Sequence, residues 1–133
     1  MSPRDVARAY AAGRVAIGAL ALLAPRPIGR VWLGAAGATP AGGVVMRALG
    51  VRDLVLGGIA LHTLDHPEVA PRWQRTCAAV DAVDFAATAV ARDALPRVGS
   101  AVVMAMAAGG AATGAWLGAA LSPPAPEAAA GSR

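Results

Sequence analysis

Apolar residues cluster in four long stretches, separated by polar or proline-rich punctuation. The first covers residues 6–24, opened by Ser2-Pro3-Arg4-Asp5 as a helix start and closed by Pro25-Arg26-Pro27. The second covers 41–64 and ends in the polar string His62-Thr63-Leu64-Asp65-His66-Pro67-Glu68. The third covers 73–91, and Arg92-Asp93-Ala94-Leu95-Pro96-Arg97 turns the chain into the fourth, 98–121, which carries no charged residue. Each is long enough to cross a hydrocarbon core of about 20 helical residues. The pattern predicts an all-α protein, a four-helix transmembrane bundle in one domain (residues 1–121) with both termini on the same side. Residues 25–43, rich in Pro and Gly, read as a connection. Within it, Ile28 to Leu33 with Arg26, Arg30 and Trp32 suits either a stretch at a lipid interface or a loop over the bundle end. The tail, 122–133, with three prolines followed by Ala, Gly and Ser, is expected to be disordered.

Polar residues inside these stretches follow helical spacing. In the second, Met46, Gly50, Asp53, Gly57 and Ala60 share a strip of mostly small residues, with Arg47 and Arg52 nearby. The third carries a stripe of Cys77, Asp81, Asp84, Thr88 and Arg92. The first places Tyr10, Arg14, Gly18 and Ala21 on one face, with Arg14 turned into the bundle or snorkelling towards the surface. In the fourth, Gly110, Gly114 and Gly118 form two Gly-x-x-x-Gly steps, a smooth surface for helix packing.

Composition strengthens the membrane reading. Of 133 residues, 56% are hydrophobic and 15% charged, with a mean hydropathy of +0.53. A soluble domain carries about 25% charged residues. The net charge of +4 comes from scattered arginines without a dense patch, which argues against nucleic acid as a partner. The expected partners are the lipid bilayer and either another membrane protein or a second copy of the chain. Arginines flank both sides of the spans almost equally and leave orientation open. One cysteine, Cys77, precludes an internal disulfide and reads as a packing residue. A signal peptide at 6–24 and a soluble four-helix bundle are the competing readings; the further apolar segments and the uncharged fourth stretch argue against them.

The motif Arg47-Ala-Leu-Gly50-Val-Arg52-Asp53-Leu-Val-Leu-Gly57 follows an Arg-x-x-x-Gly first helix and a Pro-x-x-x-x-Arg-Val-Trp-Leu-Gly connection, and precedes an Asp-x-x-Asp third helix. In this the chain resembles small four-helix integral membrane proteins of actinobacteria, a family without an assigned function. Related domains with a Gly-x-Arg-Asp motif occur in fungi. The resemblance implies a fold and a membrane location, and no residue role.

The embedded charges are the candidate site. Arg14, Arg47 and Arg52 against Asp53, Asp81 and Asp84 make a balanced set, which reads as an interhelical network with Asp81 and Asp84 accepting from Arg47 or Arg52, and with Gly50 and Gly57 letting the third helix approach. Alternatively, the carboxylates line a polar cavity. There a protonated acid would serve a small intramembrane isomerase or cyclase on a lipid-like substrate, or relay protons. No cofactor motif accompanies them. A further reading is an accessory subunit docked through the Gly-x-x-x-Gly helix. His62 and His66, four residues apart with Asp65 and Glu68 nearby, have a spacing that permits zinc, but Pro67 ends the helix there. Trp32, Trp73 and Trp116 fall near the ends of segments and read as interfacial anchors. Tyr10 reads as a fourth anchor or as a donor to Asp53 or Asp84.

Overall fold

The computed structural model describes residues 1–123, and the expected disorder of the tail concerns residues that, from 124 onward, lie outside it. Those described residues form five α-helices and no strand: α1 (Pro3–Leu23), α2 (Pro25–Leu33), α3 (Pro40–Thr63), α4 (Ala70–Ala91) and α5 (Arg97–Ala120).

Local chemistry sets the helix ends. At the start of α1, the Ser2 hydroxyl accepts from the Asp5 backbone N–H while the Asp5 carboxylate accepts from the Ser2 N–H, so two otherwise orphaned donors are satisfied. Thr39 caps α3 through the Gly42 N–H, ahead of Pro40 in the first turn. Two arginines close helix C-termini at the end of the molecule that also holds the N-terminus. Arg4 donates to the Leu64 carbonyl beyond α3, and Arg75 donates to the Gly118 carbonyl of α5 and to Ser122.

The expected connection at 25–43 is largely helical. The fixed φ of Pro25 and Pro27 suits a first helical turn, so these prolines start α2 instead of opening a loop. Gly34, at φ +66°, then turns the chain into a short 3-10 segment, Gly34–Ala38. The architecture is therefore four long helices plus one short helix laid against the start of α5, where Gly99 meets the Val31 carbonyl.

The long helices pack as two antiparallel pairs, α1 with α3 and α4 with α5, and contact between the pairs is sparse. Glycines form both seams. Gly18 and Gly50 face each other across α1 and α3, and a Cβ on Gly57 would meet the Ala11 carbonyl at 2.8 Å. On α5, Gly110, Gly114 and Gly118 face Asp81, Ala78 and Arg75 of α4. The Gly-x-x-x-Gly face is thus covered by the chain's own fourth helix. Gly50 and Gly57 admit α1, and not the α4 acids for which their small size was expected to make room.

The interior combines a few large apolar side chains, Met46, Leu56, Leu64 and Leu117, with many small and polar ones. Ala7, Ala11, Ala21 and Ala60 are buried, together with Arg14, Gln74, Asp81 and Thr88, whereas Leu23, Val83, Val90 and Val98 are 67–89% exposed. Two helices, α1 and α5, are long and apolar enough to cross a membrane. α3 and α4 match them in length (24 and 22 residues), and each has charged residues near its centre.

Candidate functional site

The charged side chains meet near the middle turns of α1, α3 and α4. α1 brings Tyr10 and Arg14 to one face because they are four residues apart. α3 brings Arg52 and Asp53, and α4 brings Asp81 and Asp84. Arg14 is the centre: it ion-pairs with Asp53 at 3.1 Å and, through its other terminal nitrogen, with Asp81. Arg52 holds Asp84 with two hydrogen bonds, 2.9 and 2.7 Å, and reaches Asp53 at 3.3 Å. The Tyr10 hydroxyl donates to Asp81 Oδ2 at 2.5 Å. These contacts form one chain, Tyr10–Asp81–Arg14–Asp53–Arg52–Asp84, which ties both helix pairs together. Breaking such a buried pair by removing one partner costs about 3–5 kcal/mol. The two-pronged Arg52–Asp84 contact is the geometry in which guanidinium and carboxylate bind most strongly.

Three placements differ from expectation. Arg47 is exposed and stands away from the network, at the rim of a pocket near Pro25, Arg26 and Pro40. It lies off the Met46–Gly50–Asp53–Gly57 strip, but so does Arg52, so spacing alone does not separate the two. Asp81 and Asp84 consequently pair with Arg14 and Arg52, and the set holds two cations against three anions instead of a balanced three and three. Tyr10 donates to Asp81, and to neither Asp53 nor Asp84, because α1 lies opposite the middle of α4. Arg92, expected on the α4 stripe, sits in a 3-10 turn with its side chain 69% exposed. The stripe continues at its other end instead: Gln74, three residues before Cys77, is fully buried, as is Cys77.

The network forms one wall of a cavity of about 550 Å3 between the helix pairs. Ile17, Leu20, Val31, Val102 and Met106 make its apolar side, and Tyr10, Arg14, Arg52 and the three aspartates its polar side. Several of the apolar residues are also exposed on the outer surface, so the cavity opens laterally. Trp32, expected as an anchor, lines this cavity from α2. Trp73 donates to the Leu56 carbonyl and braces α4 on α3, whereas Trp116 is half exposed.

The carboxylate oxygens are unequally occupied. Asp84 gives both to Arg52, and Asp81 gives one to Arg14 and one to Tyr10. Asp53 accepts both its guanidinium contacts on Oδ1. Its Oδ2 receives none of the network's hydrogen bonds, and Asp53 lines the cavity. His62 and His66 lie at the end of the bundle, both exposed, with ring centroids 5.2 Å apart. Among the described residues no group of three His, Cys, Asp or Glu side chains is placed to hold a metal ion.

No family model, curated protein or solved structure matches the chain.

Proposed function

We propose that this chain is an integral membrane four-helix bundle, α1, α3, α4 and α5, with both termini on one side, whose mid-depth Arg/Asp network holds two helix pairs around a lateral pocket for a lipid-like small molecule. The observation that carries it is the amount of aliphatic surface left outside buried polar groups. Met46, Leu56, Leu64 and Leu117 are buried, but many more valines and leucines are exposed, while an arginine, an aspartate and a glutamine are buried. In water, that much exposed aliphatic surface would drive association. In lipid the same surface is solvated, and paired charges belong inside.

By composition α3 and α4, unlike α1 and α5, do not qualify as membrane spans. Their central charges are Arg52, Asp53, Asp81 and Asp84, all partnered within the network. Short α2, with Arg26 and Arg30 exposed and Val31 60% exposed, suits the lipid interface. The likeness of the motifs to small actinobacterial membrane proteins points the same way.

Binding is favoured over acid–base catalysis by the occupancy of the acids. Asp81 and Asp84 each have both oxygens engaged, which leaves Asp53 Oδ2 as the one carboxylate atom free at the cavity, with no second free acid among the cavity's carboxylates to relay its proton. Docking of another protein through Gly110, Gly114 and Gly118 would require displacing α4.

Alkaline carbonate extraction of membranes from expressing cells tests the placement. The protein is expected to stay in the pellet and to leave it only with detergent. Quantitative recovery in the carbonate supernatant would overturn the reading.

A further inference from the structure

Resting on the membrane-bundle reading above, we infer that the lateral pocket is a site for a single-chain amphiphile with a primary ammonium headgroup, held at Asp53 Oδ2. The charged groups facing the cavity are Arg14 from α1, Arg52 and Asp53 from α3, and Asp81 and Asp84 from α4; its lining residues from α2 and α5 carry no charge. With all three carboxylates ionised, two guanidinium groups leave one negative charge at a largely apolar, laterally open cavity. A medium of low dielectric penalises that charge unless a counter-charge accompanies it.

The position of the surplus follows from the hydrogen bonds. Every oxygen of Asp81 and Asp84 is engaged by Arg14, Tyr10 or Arg52, so Asp53 Oδ2 is the one carboxylate oxygen left over in the network; the other unpartnered atom, Arg52 Nε, is buried. A ligand ammonium there would donate a charge-assisted hydrogen bond and bring the polar wall to neutrality. An anionic head would add to the surplus, and a neutral alcohol would leave it. The rest of the cavity determines the remainder of the molecule. Ile17, Leu20, Val31, Val102 and Met106 present aliphatic surface and contribute no charge, which fits an alkyl chain entering from the lipid side. A volume of about 550 Å3 lies inside the usual range of small-ligand pockets, about 300–1,000 Å3.

Calorimetric titration of the purified full chain in maltoside micelles with decylamine, decanol and decanoate tests the assignment. Decylamine, protonated at neutral pH, is expected to bind saturably at one site, about tenfold or more tighter than decanol, with decanoate weaker still. Asp53→Asn should reduce decylamine binding to the decanol level. Val102→Trp, which fills the apolar wall without touching the network, should abolish binding of all three, and it provides the test should Asp53→Asn fail to fold. Equal affinity for decylamine, decanol and decanoate would overturn the headgroup assignment and leave a pocket for alkyl chains. Saturable binding unchanged in both variants would place the ligand elsewhere and overturn the site. Absence of saturable binding, in a protein that is helical by circular dichroism and resists carbonate extraction, would overturn the pocket while leaving the membrane placement intact.

Discussion

Arg14 is the residue on which the interior depends. It is 8% exposed and pairs with carboxylates from two different helices, Asp53 of α3 and Asp81 of α4. Removing one member of a buried ionic set leaves the others desolvated and unpaired, which costs about 3–5 kcal/mol. Arg14→Met is therefore expected to lower the thermal unfolding midpoint of detergent-purified protein sharply. Arg47→Met should change stability by about 0.5 kcal/mol or less, because Arg47 is exposed and stands outside the network. Equal losses from the two substitutions would contradict the assignment of the central cation. Tyr10→Phe provides a finer test. It deletes the hydroxyl that Asp81 accepts from and is expected to cost about 1–3 kcal/mol. Tyr10 was legible in the sequence only as sharing a face with Arg14; its partner was not, because a residue's spacing says which face it lies on and nothing about what stands across from it.

At the scale of elements, the two seams do different work from the one the sequence suggests. Glycines on α3 were expected to admit α4, yet Gly50 meets α1 and the α4 contact is left to α5. The physical reason is that a smooth strip states only that some helix comes close. Which helix does so depends on the connections and on where complementary small residues lie, here Gly18 and Ala11 on α1. The seams can be tested within one helix. A Cβ on Gly114 would stand 2.8 Å from the Gln74 carbonyl oxygen and 3.0 Å from the Ala78 Cβ, whereas nothing lies within 4 Å of a Cβ on Gly109. Gly114→Leu should therefore destabilise by about 1–3 kcal/mol or prevent folding, as overpacking does. Gly109→Leu should be near neutral in the same thermal assay, and a reversed order would show that α5 meets α4 through another face.

For the whole molecule, the antiparallel pairing gives a topological expectation. Ser2 and Ser122 lie at one end of the bundle, the end where Arg4 reaches Leu64 and Arg75 reaches Ser122. Asp93, in the turn between α4 and α5, lies at the other and has its side chain 96% exposed. In sealed cells, cysteines placed singly at Ser2 and Ser122 should react alike with a membrane-impermeant thiol reagent, and one at Asp93 oppositely. The native Cys77, fully buried, should stay unlabelled. Opposite labelling at positions 2 and 122 would exclude an even number of crossings.

The sequence by itself determined the number and extent of the long helices, since apolar runs bounded by Pro, Gly and polar strings are local features. It also determined that charge lies within their central turns, because Arg14, Asp53, Asp81 and Asp84 fall far from any predicted end. Only the tertiary structure decided that residues 25–33 are helical, that Arg14 is the central cation while Arg47 stands outside the network, and that the polar groups line a cavity with one carboxylate oxygen to spare. Helical periodicity is a property of one segment, while ion pairing, seam matching and cavity shape are properties of several segments brought together, and no spacing within a single helix encodes them.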